Sequence, residues 1–232
     1  MRKGKLYREQ ATKFEHQKFY SLTDALQIIK EMPHVKFNET VEIAFKLGID
    51  PKQSDQNVRG AVTLPKGSGK TVNVVVIASG QAADDAKAAG ADVVGFEDVI
   101  DKIKEGWLDF DSLITTPDAM PKVRPLGRTL GPRGLMPNPK TGTVTNTITE
   151  AVKEAKAGRV EYRADRGACA HVPVGKLSFS VEDLAINCDT VIQAIIAARP
   201  ATTKGSYVLS CSVCSTMSPG IKVSTKDFAK GA

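Results

Sequence analysis

V-N-V-V-V-I-A, residues 72–78, is the stretch on which the fold turns. Only Asn73 interrupts its apolar character, and such a run suits a parallel strand covered on both faces. The chain beyond it keeps the same grammar. Residues 81–89 read as a helix that Gly90 ends. Residues 92–94 are a second short strand, and residues 97–105 a helix with Val99, Ile100 and Ile103 inward. Leu113 and Ile114 mark a third strand. The β-α-β-α-β order implies a small doubly wound sheet. Asn146 is placed to cap a further helix carrying Ile148, Ala151, Val152 and Ala155 on one face, with Gly158 at its end.

The texture on either side is different. A basic N-terminal tail leads to Ser21, which caps a helix with Leu22, Ala25, Leu26 and Ile29 on one stripe and Pro33 as its stop. Val41, Ile43, Phe45, Leu47 and Ile49 then alternate with mostly polar neighbours, the pattern of a half-buried strand, and residues 60–64 suggest a short one. After Gly158, residues 159–163 and 168–174 read as antiparallel strands. Val181, Leu184, Ala185, Cys188, Val191, Ile192 and Ile195 stripe a long helix before Pro200. Tyr207, Leu209, Cys211 and Val213 alternate as one strand face, and residues 221–223 close the sheet. Neither flank alone is long enough for a comfortable core. The expected fold is therefore α/β and α+β. Residues 1–66 plus 159–232 make a discontinuous split α+β domain, and residues 67–158 an inserted three-layer α/β domain, with the two crossings serving as a hinge.

Charge is segregated. The chain carries +6 overall, yet residues 1–70 hold 13 basic and 8 acidic side chains, residues 81–120 hold 3 and 10, and residues 121–176 hold 11 and 4. A polyanion partner is the first implication, and mutual pairing of the acidic and basic stretches is the alternative. Residues 119–149 contain no Asp or Glu. Lys122, Arg124, Arg128, Arg133 and Lys140 are spaced there among five prolines and several glycines, a stiff scaffold for phosphate contacts.

Catalytic and cofactor motifs are weak. Gly67 to Thr71 spells the tail of a phosphate-binding loop, but Leu64 stands where the pattern needs glycine and the segment precedes a strand; a flexible linker fits better. Ser79-Gly80-Gln81 offers one glycine and no dinucleotide fingerprint. Cys211 and Cys214 are C-x-x-C in spelling only, since a strand points them to opposite faces, and Cys188 reads as core. Trp107 and Phe110 read as packing residues. Phe37, between Lys36 and Asn38 at the lip of a strand, either stacks on a base or staples the strand into the core. His171, between basic strands, can reach a nucleic-acid hydroxyl or be plain surface. No membrane span, secretory signal, cofactor or metal is expected. A nucleotide-dependent enzyme on the doubly wound domain is the rival reading, and it lacks a phosphate cradle.

Lys36-Phe37-Asn38-Glu39-Thr40-Val41-Glu42, Leu47 to Pro51, Ser54 to Gly60, Ala89 to Asp92, L-G-R-T-L-G-P-R-G-L-M-P-N-P-K at residues 126–140, and Val174-Gly175-Lys176 together closely resemble the bacterial type of the large-subunit ribosomal protein L-one family. The resemblance covers almost the whole chain, and the run at 126–140 is its most specific signature. It implies a split α+β domain with a Rossmann-like insert, a cytoplasmic place at the mobile lateral stalk of the large ribosomal subunit, and binding of large-subunit rRNA. It also implies help in the departure of exit-site tRNA, repression of the chain's own operon mRNA, and a monomer off the ribosome. By motif match, rRNA contacts fall on Lys36, Phe37, Thr40, Arg163, Asp165, His171, Ser210, Thr216, Met217 and Ser218. The family usually has glycine where Ser218 stands. The cations of residues 119–149 become a secondary RNA surface or hinge-facing structure.

Overall fold

The computed structural model describes residues 4–225. They group into two compact units. One is built from the residues up to Gly69 together with those from Val160 onward, the other from Lys70–Arg159.

In the first unit, strands β1 (Thr40–Leu47), β7 (Cys169–Lys176), β8 (Val208–Ser215) and β9 (Ile221–Val223) form an antiparallel sheet ordered β7-β1-β8-β9. Period-two alternation sends Val41, Ile43, Phe45 and Leu47 to one face, where they meet Ala170, Val172, Val174, Cys211 and Val213. Helices α2 (Leu22–Glu31) and α8 (Val181–Ala197) cover that face with Leu26, Ile29, Leu184, Val191 and Ile195. Ser21 caps α2 by accepting from the Asp24 N–H at 3.1 Å. Burial pushes the Cys188 thiol up, and that of Cys211 up to about 12, so both are inert core thiols.

Several expectations change here. The proximal tail is helical, α1 (Lys5–Ala11), with Gln10 buried and donating to the Pro33 carbonyl at 2.8 Å; its first three residues lie outside the described ones. Strands β6 (Arg159–Arg163) and β7 meet only at the single bridge Ala164–Ala170, because β6 pairs instead with β2 (Arg59–Thr63) in a separate two-stranded sheet. Leu209 leaves the face of Tyr207, Cys211 and Val213: the register slips between Lys46 and Leu47, and the extra residue turns Leu209 outward, 53% exposed. The Gly67 to Thr71 segment is fastened at its start. Asn187 of α8, wholly buried, donates to the Gly67 and Val174 carbonyls and accepts from the Lys66 N–H. Gly69, at φ +69°, leaves no room for a Cβ against Lys176 and Phe179.

In the second unit, β3 (Val74–Ile77), β4 (Val93–Gly95) and β5 (Ser112–Thr115) are parallel in the order β4-β3-β5. Every residue of β3 is buried. Val74 and Val76 face α3 (Gln81–Ala88) and α7 (Ile148–Ala157). Val75 and Ile77 face α4 (Glu97–Lys104) and two single-turn helices, α5 (Met120–Val123) and α6 (Gly127–Leu130). The cap of α7 is Thr147, not Asn146, and its side chain makes no capping bond. No described helix is long and apolar enough to cross a membrane.

Candidate nucleic-acid interface

Because α2 and α8 cover one face of the four-stranded sheet, the other is left open. Its outward side chains are mostly small or basic, with Glu42 the acid and Leu209 the large apolar one among them. Across the strands, His171, Ala44, Ser212 and Lys222 stand in one register row, and Cys169, Lys46 and Ser210 in the next. His171, Lys46, Ser210 and Lys222 are exposed. Small central residues leave the backbone open to close approach, and Lys46 and Lys222 give the face positive charge, features that suit a polyanion.

One end of this face is organised by a residue that the sequence reading quoted without a role. Glu39 is fully buried just before β1. Its Oε2 accepts from the Ser215 hydroxyl at 2.6 Å and the Met217 N–H at 3.0 Å. Its Oε1 accepts from the Val35 N–H at 3.3 Å and lies 3.2 Å from His34 Nδ1. Burial alone would raise this carboxyl, but the bonds from Ser215, Met217, Val35 and His34 outweigh it and hold it below the ordinary value. One carboxylate thus ties the segment carrying Lys36 and Phe37 to the turn carrying Thr216, Met217 and Ser218. Thr216 adds a second tie, its hydroxyl accepting from the Thr40 N–H at 3.0 Å and donating to the Thr40 carbonyl at 3.3 Å.

What the ties hold is presented outward. Phe37 is 54% exposed, which removes the reading that it staples the strand into the core, and Met217 is 49% exposed. Lys36 is exposed beside Phe37, and Thr40 accepts from Lys176 Nζ at 2.8 Å. Ser218, at the position of the family glycine, turns its hydroxyl into the turn, where it accepts from the Ser215 N–H at 2.8 Å and donates to the Pro219 carbonyl at 3.3 Å.

Asp165, His171 and Ser210 lie toward the opposite end of the sheet from this turn, with Arg163 exposed at the close of β6. The Cys169 N–H, seconded by that of Gly167, donates to Asp165 Oδ1 at 2.8 Å and lowers its pKa, with the His171 and Lys46 charges adding to the effect. This acid orders a loop, which explains a carboxylate amid cations. Beside it opens a groove of about 520 Å3 lined by Pro51, Asn57, Arg163, Ala164, Asp165 and Arg166. Neither Arg166 nor Asn57 was an expected contact, although Asn57 lies in the resembling stretch Ser54 to Gly60, since nothing in their local pattern places them beside Arg163.

The run at 119–149 has another character. It forms single helical turns whose Val123, Leu126 and Leu130 are core. Lys122 pairs with Glu97 at 2.6 Å and Lys156 with Asp92 at 3.2 Å, so the acidic and basic stretches do meet. Arg124, Arg128, Arg133 and Lys140 are exposed. Among the described residues no group of His, Cys, Asp and Glu could hold a metal ion.

Comparison with known proteins agrees with this geometry. Residues 29–219 match the model of the Ribosomal protein L1p/L10e family. The chain is 52% identical over 220 residues to the large ribosomal subunit protein uL1 of Lactobacillus acidophilus, covering 95% of this chain and 96% of that protein.

Proposed function

The chain belongs to the Ribosomal protein L1p/L10e family, and from that premise we propose that it is a cytoplasmic, non-catalytic component of the large ribosomal subunit that grips folded rRNA through its split α+β unit. The observation that carries this reading is the buried Glu39 carboxylate. It holds Phe37 and Met217 out at one end of an open, small-residue sheet face bordered by cations.

The contact set is Lys36, Phe37, Thr40, Arg163, Asp165, His171, Ser210, Thr216, Met217 and Ser218. Phe37 and Met217 stack on bases or riboses, and the lysines, Arg163 and His171 meet phosphate and hydroxyl groups. Asp165 and Ser218 act by shaping their loops. On the ribosome the chain sits at the mobile lateral stalk, and the inserted Rossmann-like unit moves about the two chain crossings to help exit-site tRNA leave. Arg124, Arg128, Arg133 and Lys140 give that unit a secondary RNA surface. Off the ribosome the chain is a monomer whose split unit represses its own operon mRNA by binding a similar RNA fold.

Filter binding of the purified chain to stalk rRNA tests the central statement. With 6 to 10 phosphate contacts, affinity falls by roughly 10³–10⁵ between 50 and 200 mM salt. A flat salt dependence refutes it.

A further inference from the structure

The open sheet face does not stop at β9. The segment before α2 runs alongside β9, with Tyr20 bridged to Val223 in parallel register. The Tyr20 N–H donates to the Lys222 carbonyl at 3.0 Å, and the Ser224 N–H donates to the Tyr20 carbonyl at 2.9 Å. Side chains alternate along this added edge as along any strand. Tyr20 turns inward and meets the Phe14 ring edge-on, at 6.5 Å between centroids. Phe19 turns outward, onto the same face as Lys222, whose Nζ lies 5.8 Å from its ring centroid.

Phe19 is 60% exposed, above the 54% of Phe37 among the exposed large apolar side chains of the described residues. It extends the register row of the sheet to His171, Ala44, Ser212, Lys222, then Phe19. At the usual strand spacing that row is about 19 Å long. It contains no acid; Glu42, the outward acid of β1, stands in the row opposite Pro173 and Cys214. An exposed ring beside a cation, with a strip of small residues leading to it, matches the chemistry of a nucleotide: a π-face for the base and a charge for its phosphate.

We infer that Phe19 and Lys222 form an additional RNA contact at the far edge of the sheet, with an unpaired base on the Phe19 ring and a backbone phosphate on Lys222. The inference rests on the RNA-binding reading proposed above. It extends the footprint from the Phe37 and Met217 end across the whole width of the sheet.

The test uses the full chain and in vitro transcribed large-subunit rRNA from the same organism. Phe19→Ala weakens binding about five- to 150-fold, the span expected for one lost base stack, whereas Phe19→Trp stays within about twofold of wild type. Lys222→Ala lowers the slope of log affinity against log salt by about one. In a Trp107→Phe background, the Phe19→Trp indole is the only tryptophan, and its emission changes on saturation with RNA. Phe19 is outside the core, so thermal melts of these variants should overlay wild type. If Phe37→Ala weakens binding while Phe19→Ala changes nothing and the indole emission stays still, this inference fails and the main reading stands. If neither variant weakens binding, the main reading fails with it. If Phe19→Ala leaves RNA affinity intact but lowers incorporation into large subunits, the ring meets a protein neighbour and the inference is wrong.

Discussion

Two regions of this molecule are rich in cations, and they are built on opposite plans. In the run at 119–149 the basic residues are close in sequence and sit on short helical or plain turns, among which Val123, Leu126 and Leu130 anchor the run to its core. In the split unit the Phe37 segment and the Thr216–Ser218 turn are remote in sequence, and a buried carboxylate with four hydrogen-bond partners, one of them 178 positions away, draws them together. Local density of charge makes a surface attractive to a polyanion. Long-range hydrogen bonding makes a surface with a shape, and folded RNA is recognised largely by shape.

Removing the organiser should separate the two regions most sharply. Glu39→Ala strands the Ser215 hydroxyl and the Met217 and Val35 N–H groups in a buried place and costs about 3 kcal/mol of folding stability in urea titration. It also frees the Thr216–Ser218 turn, so rRNA affinity drops by about a hundredfold or more in filter binding. Wild-type affinity in this variant would show that Glu39 does not shape the interface.

Replacing what Glu39 positions should have the next largest effect. The double change Thr216→Ala, Met217→Ala weakens rRNA binding on the order of thirtyfold by losing both Thr40 bonds and an exposed apolar contact. Arg128→Ala, Arg133→Ala costs less than about fivefold, as expected for exposed phosphate contacts. Equal losses would make charge density, not shape, the governing property.

A smaller effect concerns acid. Because the folded Glu39 carboxyl lies below its unfolded value of 4.5, its stabilising contribution is complete above that pH and is lost as pH falls through the lower folded value. The urea midpoint of wild type should therefore fall more steeply below pH 4.5 than that of Glu39→Gln. Parallel curves would show that the carboxylate carries no linkage. The smallest effect expected is at Ser218. Ser218→Gly removes the bond to the Ser215 N–H, costs about 1 kcal/mol of stability, and moves rRNA affinity by less than about threefold. A tenfold gain would mean that the serine obstructs the RNA.

Much of the fold was legible because short-range rules generate it. The continuous apolar run of β3, the stripe of α8 and the Ser21 cap each followed from neighbours within a few residues. Two misses were local, the α7 cap at Thr147 and the helix α1 in the tail, but the larger ones came where partners are distant. The pairing of β6 with β2 and the outward turn of Leu209 depend on register between remote strands, and no local pattern encodes register. The candidate site divided the same way. Lys36, Phe37, Thr216 and Met217 were found by motif resemblance, whereas Arg166 and Phe19 gained meaning only from the groove and the sheet edge on which they lie.

By itself, the amino-acid order determined the family, most element types and the basic character, since all of these are properties of residues and their near neighbours. The tertiary structure alone decided that one sheet face stays open, that Phe37 and Phe19 point outward, and that Glu39 is the knot beneath the Thr216–Ser218 turn. The physical reason is that exposure and hydrogen-bond partnership arise from contacts between segments far apart in the chain, and these exist only once the core has closed.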